Sequence, residues 1–342
     1  MKQLGINILS LSLILLLIVG FSSCKNDDDG VDSIPERDRT EQQIEDRDSL
    51  LSYFNTYYYN SQEIMDNVAP TIDDVVITEL ASGETLPGGH TMLIDAVETH
   101  NTVLLDVDYE YYILRLNQGG GDENPNFPDR VRLNYQGTLL DGTLFDSSVN
   151  SVVLDLSALV PGWSRVIPQF NVAADFLLNQ DGTVSFSDAG FGVMFLPSGL
   201  GYYSGGAANI TPYTNLLFKF EIFQTEVNDH DNDGIPSYRE DVDDNIDLGN
   251  DDTDENGLAN FVDVDDDGDG VLTIDELEHL EYIVDTNMGE EEPVLGPDEF
   301  ERSRTEVDGI ITINTVRIVD SNGDDLGDYL DDTITTVNND DE

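Results

Sequence analysis

The sequence predicts an α+β fold followed by an acidic tail, and three features carry that expectation. Apolar residues near the N-terminus (Ile44, Leu50, Leu51, Phe54, Tyr57 and Tyr58) recur at roughly helical spacing. A long middle stretch alternates apolar and polar residues between Gly-bearing turns, as half-buried strands do. The last third then changes composition abruptly. Residues 226–342 hold 40 Asp+Glu against four basic residues, Arg239, Arg302, Arg304 and Arg317, a net charge of −36.

Charge and composition exclude several function classes. The 342 residues carry 14 Lys+Arg and 71 Asp+Glu, a net charge of −57. Nucleic acid is therefore no partner, since phosphate neutralisation needs a basic face. Electrostatic docking on anionic lipid is excluded for the same reason. The three lysines, Lys2, Lys25 and Lys219, sit in no phosphate-cradling loop pattern. A single cysteine, Cys24, forbids an intrachain disulfide, and His90, His100, His230 and His279 lack zinc-ligand spacing.

Residues 1–23 read as an export signal. Lys2 precedes an apolar run from Ile6 to Phe21, which meets Ser22, Ser23 and Cys24. A membrane span is the alternative, because the run is near the lower length limit for one. The arrangement resembles a bacterial lipoprotein signal, with Phe21 where Leu is usual. That resemblance implies lipidation of Cys24 and an outer-membrane anchor. Lys25-Asn26-Asp27-Asp28-Asp29 is similar to the acidic tags that send such lipoproteins to the cell surface; the periplasmic face is the alternative. Residues 24–35, with Gly30 and Pro35, read as a tether.

Residues 36–106 are expected to hold one amphipathic helix over Glu36–Tyr59 and then short β-rich segments. Examples of the latter are Asp74-Val75-Val76-Ile77 and Thr102-Val103-Leu104-Leu105, with a break at Pro87-Gly88-Gly89. Residues 107–226 form the strand-rich domain. Val131, Leu133 and Tyr135 alternate with polar residues, Asp141-Gly142 marks a hairpin, and Leu216–Ile222 is a closing strand.

Four blocks in that domain fall in a telling order. Tyr135-Gln136-Gly137-Thr138-Leu139-Leu140-Asp141-Gly142-Thr143-Leu144-Phe145-Asp146-Ser147-Ser148 is followed by Val160-Pro161-Gly162-Trp163. Leu196-Pro197-Ser198-Gly199-Leu200-Gly201-Tyr202 comes next. Ile210-Thr211-Pro212 then leads into Leu216-Leu217-Phe218-Lys219-Phe220-Glu221. Together they resemble the FKBP-type peptidyl-prolyl cis-trans isomerases. The resemblance implies a curved antiparallel sheet around a short helix, with an aromatic pocket that grips proline in polypeptide clients. By motif position Trp163 would form the pocket floor and Tyr135, Phe145 and Phe218 its walls. Leu159, Val160 and Ile210 would add apolar lining, and Val160 would also offer its N–H. Tyr202 would aim its hydroxyl at the prolyl amide carbonyl, and Asp146 would lie near the twisting bond. Each of these residues alone would read as core, turn or loop. The chain departs from the family at Gly201, Tyr203 and Thr211, and in an extra segment around Asn171–Gly190. These departures put turnover, rather than the fold, in question.

The acidic third carries three calcium-loop patterns: oxygen ligands at alternate places, Gly sixth and a carboxylate twelfth. They are Asp229, Asp231, Asp233, Ile235 and Glu240; Asp252, Asp254, Asn256, Leu258 and Asp263; and Asp265, Asp267, Asp269, Val271 and Glu276. Ile235, Leu258 and Val271 would lend backbone carbonyls. Asp320, Asn322, Asp324 and Asp331 make a weaker match, with Asp325 where Gly is wanted. The second and third loops begin 13 residues apart, which leaves no room for a helix between them. The array, residues 227–285, resembles thrombospondin type 3-like repeats. An exiting helix is expected only after the third loop, with Leu277, Leu280, Ile283 and Val284 on one side. Calcium is expected to be structural and to take no part in catalysis. Without charge cancellation the segment should be expanded, and residues 286–342 read as an acidic tail.

Two functions follow. The first is a lipid-anchored prolyl isomerase that assists folding of exported or surface proteins. The second is a proline-binding, calcium-stiffened surface lipoprotein without turnover.

Overall fold

The closing strand is apolar at consecutive positions because both faces of its sheet are covered. In the computed structural model, which describes residues 36–148, 150–207 and 209–338, β12 (Leu216–Glu226) turns Leu216, Phe218, Phe220 and Ile222 into one core and Leu217 into another. The signal, Cys24 and the tether lie outside the described residues.

β12 belongs to a seven-stranded antiparallel sheet. Its order is β4 (Glu98–Leu104), β5 (Val107–Asn117), β11 (Gly190–Leu196), β12, β6 (Arg130–Leu139), β7 (Leu144–Ser147), with β8 (Val152–Asp155) also paired to β6. One face packs on the short helix α3 (Gly162–Val166), with Trp163 and Val166 meeting Tyr109, Tyr111, Ile113, Met194 and Leu196. The other face packs on α1 (Arg39–Thr56) through Leu50 and Phe54, which meet Tyr112, Leu114, Phe191, Val193 and Phe195. Strand alternation sends successive side chains of β5 and β11 to the two cores.

α1 starts where the Asp38 side chain accepts the Glu41 N–H. It stops three residues short of the expected end. Tyr57, Tyr58 and Tyr59 form β1, since aromatic runs favour strand. β1 pairs with β2 (Ile77–Glu79) and β3 (Thr91–Met92). Ile44 is exposed rather than core. A domain edge at residue 107 would cut the β4–β5 hairpin. The extra segment forms a hairpin of β9 (Asp175–Leu178) and β10 (Val184–Ser187), turning at Asn179–Gly182. Phe186 stacks on Phe223 at 4.4 Å between ring centroids, five residues along β12 from Phe218.

In the acidic third, Leu277–Val284 is not a helix. After the single turn α4 (Thr273–Glu276), β13 (Glu278–Asp285) runs with period two. Leu280, Tyr282 and Val284 face inward while Ile283 is exposed. The β-branched and aromatic run Tyr282-Ile283-Val284 favours that outcome. Residues 286–342 are more than a tail. β14 (Glu299–Val307) and β15 (Ile310–Arg317) complete a three-stranded sheet, order β13-β15-β14. Ile235, Leu277, Phe300, Val316 and Tyr329 supply a small core in a segment whose charge predicts expansion. Every element named here belongs to one compact unit, which begins at Asp38.

Candidate functional site

Nine residues predicted for the pocket come together where β6, β7, β12 and α3 meet. Trp163 is 3% exposed at the start of α3, which follows the turn closed by its N–H on the Val160 carbonyl at 3.0 Å. Its ring meets Phe218 at 5.1 Å and Tyr135 at 5.7 Å, both edge-on, and Phe145 meets Phe218 at 5.4 Å. These are favourable aromatic geometries. Ile210 is buried in the same cluster, and Leu159 and Val160 pack against it half-buried. The Tyr135 hydroxyl donates to Asp146 Oδ2 at 2.8 Å. Burial, then the Asp146 carboxylate, pushes the Tyr135 phenol up to about 12, so it stays a donor. Tyr202, 39% exposed, stands on the rim close enough to Tyr135 to oppose its ionisation. The result is an apolar floor, one oriented carboxylate and one rim hydroxyl.

The acidic loops close by a shared hydrogen-bond pattern. In the first, Asp229 accepts from Asn232 and Gly234, Asp231 from Asp233, and Asp233 from Ile235. The second is similar: Asp252 accepts from Asn256 and Gly257, Asp254 from Asn256, and Asn256 from Leu258. The third keeps two of these turns, Asp267 from Asp269 and Asp269 from Val271. Gly234, Gly257 and Gly270 have φ of 110°, 94° and 97°, the left-handed turn the sixth place requires. Asp325 takes φ 74° in the Asp320 loop and closes the same turn on Asp320 without glycine.

Carboxylate oxygens cluster within 4.8 Å at Asp229/Asp231/Asp233 and at Asp265/Asp267/Asp269, as donor sets for a hard cation would. Glu276 also keeps a buried oxygen without a partner. Burial, then neighbouring carboxylates, pushes Glu276 up to about 9. These groups can hold a metal ion. The second loop gathers differently: the Asn256 amide bridges Asp254 and Asp263 at 2.9 and 2.6 Å. A further cluster, Asp241/Asp243/Asp251, escaped the pattern because its sixth residue is Ile246, at φ 64°.

Comparison with known proteins matches these two regions separately. The model of the FKBP-type peptidyl-prolyl cis-trans isomerase family matches residues 121–223, and the BamM C-terminal family model matches residues 230–295. FK506-binding protein 1 of Kluyveromyces lactis is 31% identical over 91 residues, 25% of this chain and 80% of that protein. The chain belongs to the FKBP-type peptidyl-prolyl cis-trans isomerase family. The FKBP-type 22 kDa isomerase of Escherichia coli strain K12 is 32% identical over 113 residues, 32% of this chain and 47% of that protein. The solved structure of FkpA from Escherichia coli is 25% identical, covering 34% of this chain and 48% of that one, with a TM-score of 0.28. The chain spans half or less of the length of the bacterial relatives it matches.

Several residues that shape the FKBP-type pocket were not singled out from sequence. Gly137 lies under the walls, where an added Cβ would come within 2.6 Å of the Phe145 ring and 2.8 Å of Phe218. Asp46 of α1 is buried and accepts from Ser198 N at 2.8 Å and Ser198 Oγ at 2.6 Å, while its carbonyl accepts from Asn215 at 3.1 Å. Burial raises the Asp46 carboxyl, and Ser198 and Gln42 pull against it. The helix thereby fixes the loop that leads to Tyr202. Tyr203, where the family commonly has Gly, takes φ 44° and lies under the Arg39 guanidinium at 3.9 Å. The acidic third touches the same domain. Arg165 of α3 donates to the Ile246 carbonyl at 3.4 Å, and His230 Nε2 meets Asp155 Oδ2 at 3.0 Å.

Proposed function

We propose that the protein is a peptidyl-prolyl cis-trans isomerase acting on proline-containing polypeptides. The observation that carries this is the Tyr135–Asp146 hydrogen bond beside the edge-on Trp163–Phe218 pair. Rotation about an X–Pro bond must break amide resonance, a barrier of about 18–20 kcal/mol, and takes tens of seconds unaided. The pyrrolidine ring would rest on Trp163 between Phe145 and Phe218. The twisted amide, having lost much of its resonance dipole, enters such an apolar site more readily than the planar form. The Val160 N–H and Tyr202 hydroxyl would steady the substrate carbonyls, with Asp146 held beside the rotating bond. Binding the twisted form best is sufficient catalysis. A gain of roughly 10⁴–10⁵ needs only about 5.5–7 kcal/mol. No cofactor enters the step.

The acidic third is read as a structural calcium region, with the three predicted loops as ligand sets and affinities of about 10⁻⁴–10⁻³ M, as for extracellular modules. The N-terminal sequence supports export, lipidation at Cys24 and display on the outer membrane. Among the described residues no helix is long and apolar enough to cross a membrane. A protease-free isomerisation assay on a short X-Pro peptide tests the enzymatic reading. A rate above background that Trp163→Ala and Asp146→Ala abolish is expected. Binding of a Pro-rich ligand with no added rate would replace it by the proline-binding module.

A further inference from the structure

Asp233 and Glu240 of the first acidic loop meet Asp266 of the third in the interior. Their carboxylate oxygens lie within 4.8 Å of one another, and the residues are 2%, 1% and 1% exposed. Both oxygens of Glu240, both of Asp266, and Oδ2 of Asp233 are buried without a hydrogen-bond partner. Among the described residues no Lys or Arg stands within ion-pairing distance of the three. The four arginines of this region pair instead with Asp298, Asp229, Glu292 and Glu301, and Glu278. Buried carboxylates survive as ions only when paired or bound to a metal.

The loop pattern does not account for this cluster. Asp266 occupies the second place of its loop, whose side chain the calcium pattern leaves unused. Glu240, the twelfth residue of the first loop, gathers with Asp233 and Asp266 and not with Asp229 and Asp231. Asp233 belongs to both clusters, so it can bridge two ions.

We propose that Asp233, Glu240 and Asp266 hold a calcium ion of their own, which clamps the first loop to the third and lies beside the ion in the Asp229/Asp231/Asp233 ring. This rests on the calcium reading of the acidic third and adds to it a cross-loop ligand, Asp266, and one more ion. The clamp joins residues 33 apart in sequence, Asp233 and Asp266.

The test is calcium bound per chain, measured by atomic emission on the full chain and on Asp266→Asn, with melting curves in calcium and in EDTA. Asp266→Asn should lose one ion per chain and part of the calcium-induced rise in melting temperature. In EDTA it should melt above the native chain, because a buried carboxyl whose charged form the interior disfavours has been replaced by a neutral amide. An unchanged ion count and an unchanged calcium-induced rise would overturn the clamp and leave the calcium reading standing. A native chain that binds no calcium would overturn both. Crystals of the native chain grown with calcium give a variant-free check. An anomalous peak among the three carboxylates, at about 2.3–2.6 Å from their oxygens, is expected. A peak at Asp229/Asp231/Asp233 with none among these three would sink the clamp alone.

Discussion

The FKBP-type domain and the acidic third are folded by opposite means. In the former, Phe218, Trp163, Phe195 and Phe54 bury apolar rings on both faces of one sheet, and burial itself supplies the driving force. In the latter, Asp233, Glu240, Asp266 and Glu276 are buried too, yet burial works against them until something cancels their charge. The first region's stability is built into its apolar side chains, whereas on the calcium reading the second depends on a cation taken from solution.

The widest test of that contrast is chelation. Removing calcium should lower the melting temperature of the acidic third and open it to protease while the FKBP-type domain persists, read by limited proteolysis and by two separated calorimetric transitions. At a hundredfold excess over Kd each ion contributes about 2.7 kcal/mol, so three together approach about 8 kcal/mol. A single unshifted transition would erase the distinction. The pH dependence of the chelated chain sharpens it. Burial, then neighbouring charge, pushes Glu240 up to about 11 and Asp266 and Glu276 up to about 9. A carboxyl raised on folding binds its proton more tightly in the folded chain. Its stabilisation is therefore complete below the unfolded value near 4 and is lost as pH rises through the folded value. Acidic-third stability in EDTA should thus fall from about pH 5 toward pH 9, with a smaller fall in the FKBP-type transition, where burial also raises Asp46.

Next in size is Trp163→Ala. Truncating this buried indole should cost the FKBP-type domain about 3–5 kcal/mol and reduce isomerisation to background, leaving calcium binding intact. Asp46→Ala should cost about 1–3 kcal/mol by orphaning the buried Ser198 donors. It should also lower kcat/KM several-fold through the Tyr202 rim, with Asp46→Asn recovering part of the loss. The smallest effect is expected of Tyr135→Phe. It removes the hydrogen bond to Asp146 but keeps the ring, for about 1 kcal/mol and up to about a tenfold loss in kcat/KM, with an unchanged melting curve for the acidic third.

Much of the pocket was legible in the chain because motif order fixed which aromatic rings would share a wall. The loops were legible because their acidic residues lie within twelve consecutive positions. The Asp241 loop was not, since Ile246 occupies the left-handed place that the pattern reserves for glycine. The strand at Leu277–Val284 was misread as helix because four apolar residues fit either period until Ile310–Arg317 paired with it.

By itself the sequence determined the α+β domain, its aromatic cluster around Trp163 and the local turns of the acidic loops, since each depends on neighbours along the chain or on ordered motifs. Tertiary structure alone decided that Asp46 anchors Ser198 across 152 residues, that Arg165 reaches Ile246 across 81, and that Asp266 faces Asp233 and Glu240. The physical reason is that a buried polar group takes whichever partner the fold brings within reach, and no spacing in the chain encodes that meeting.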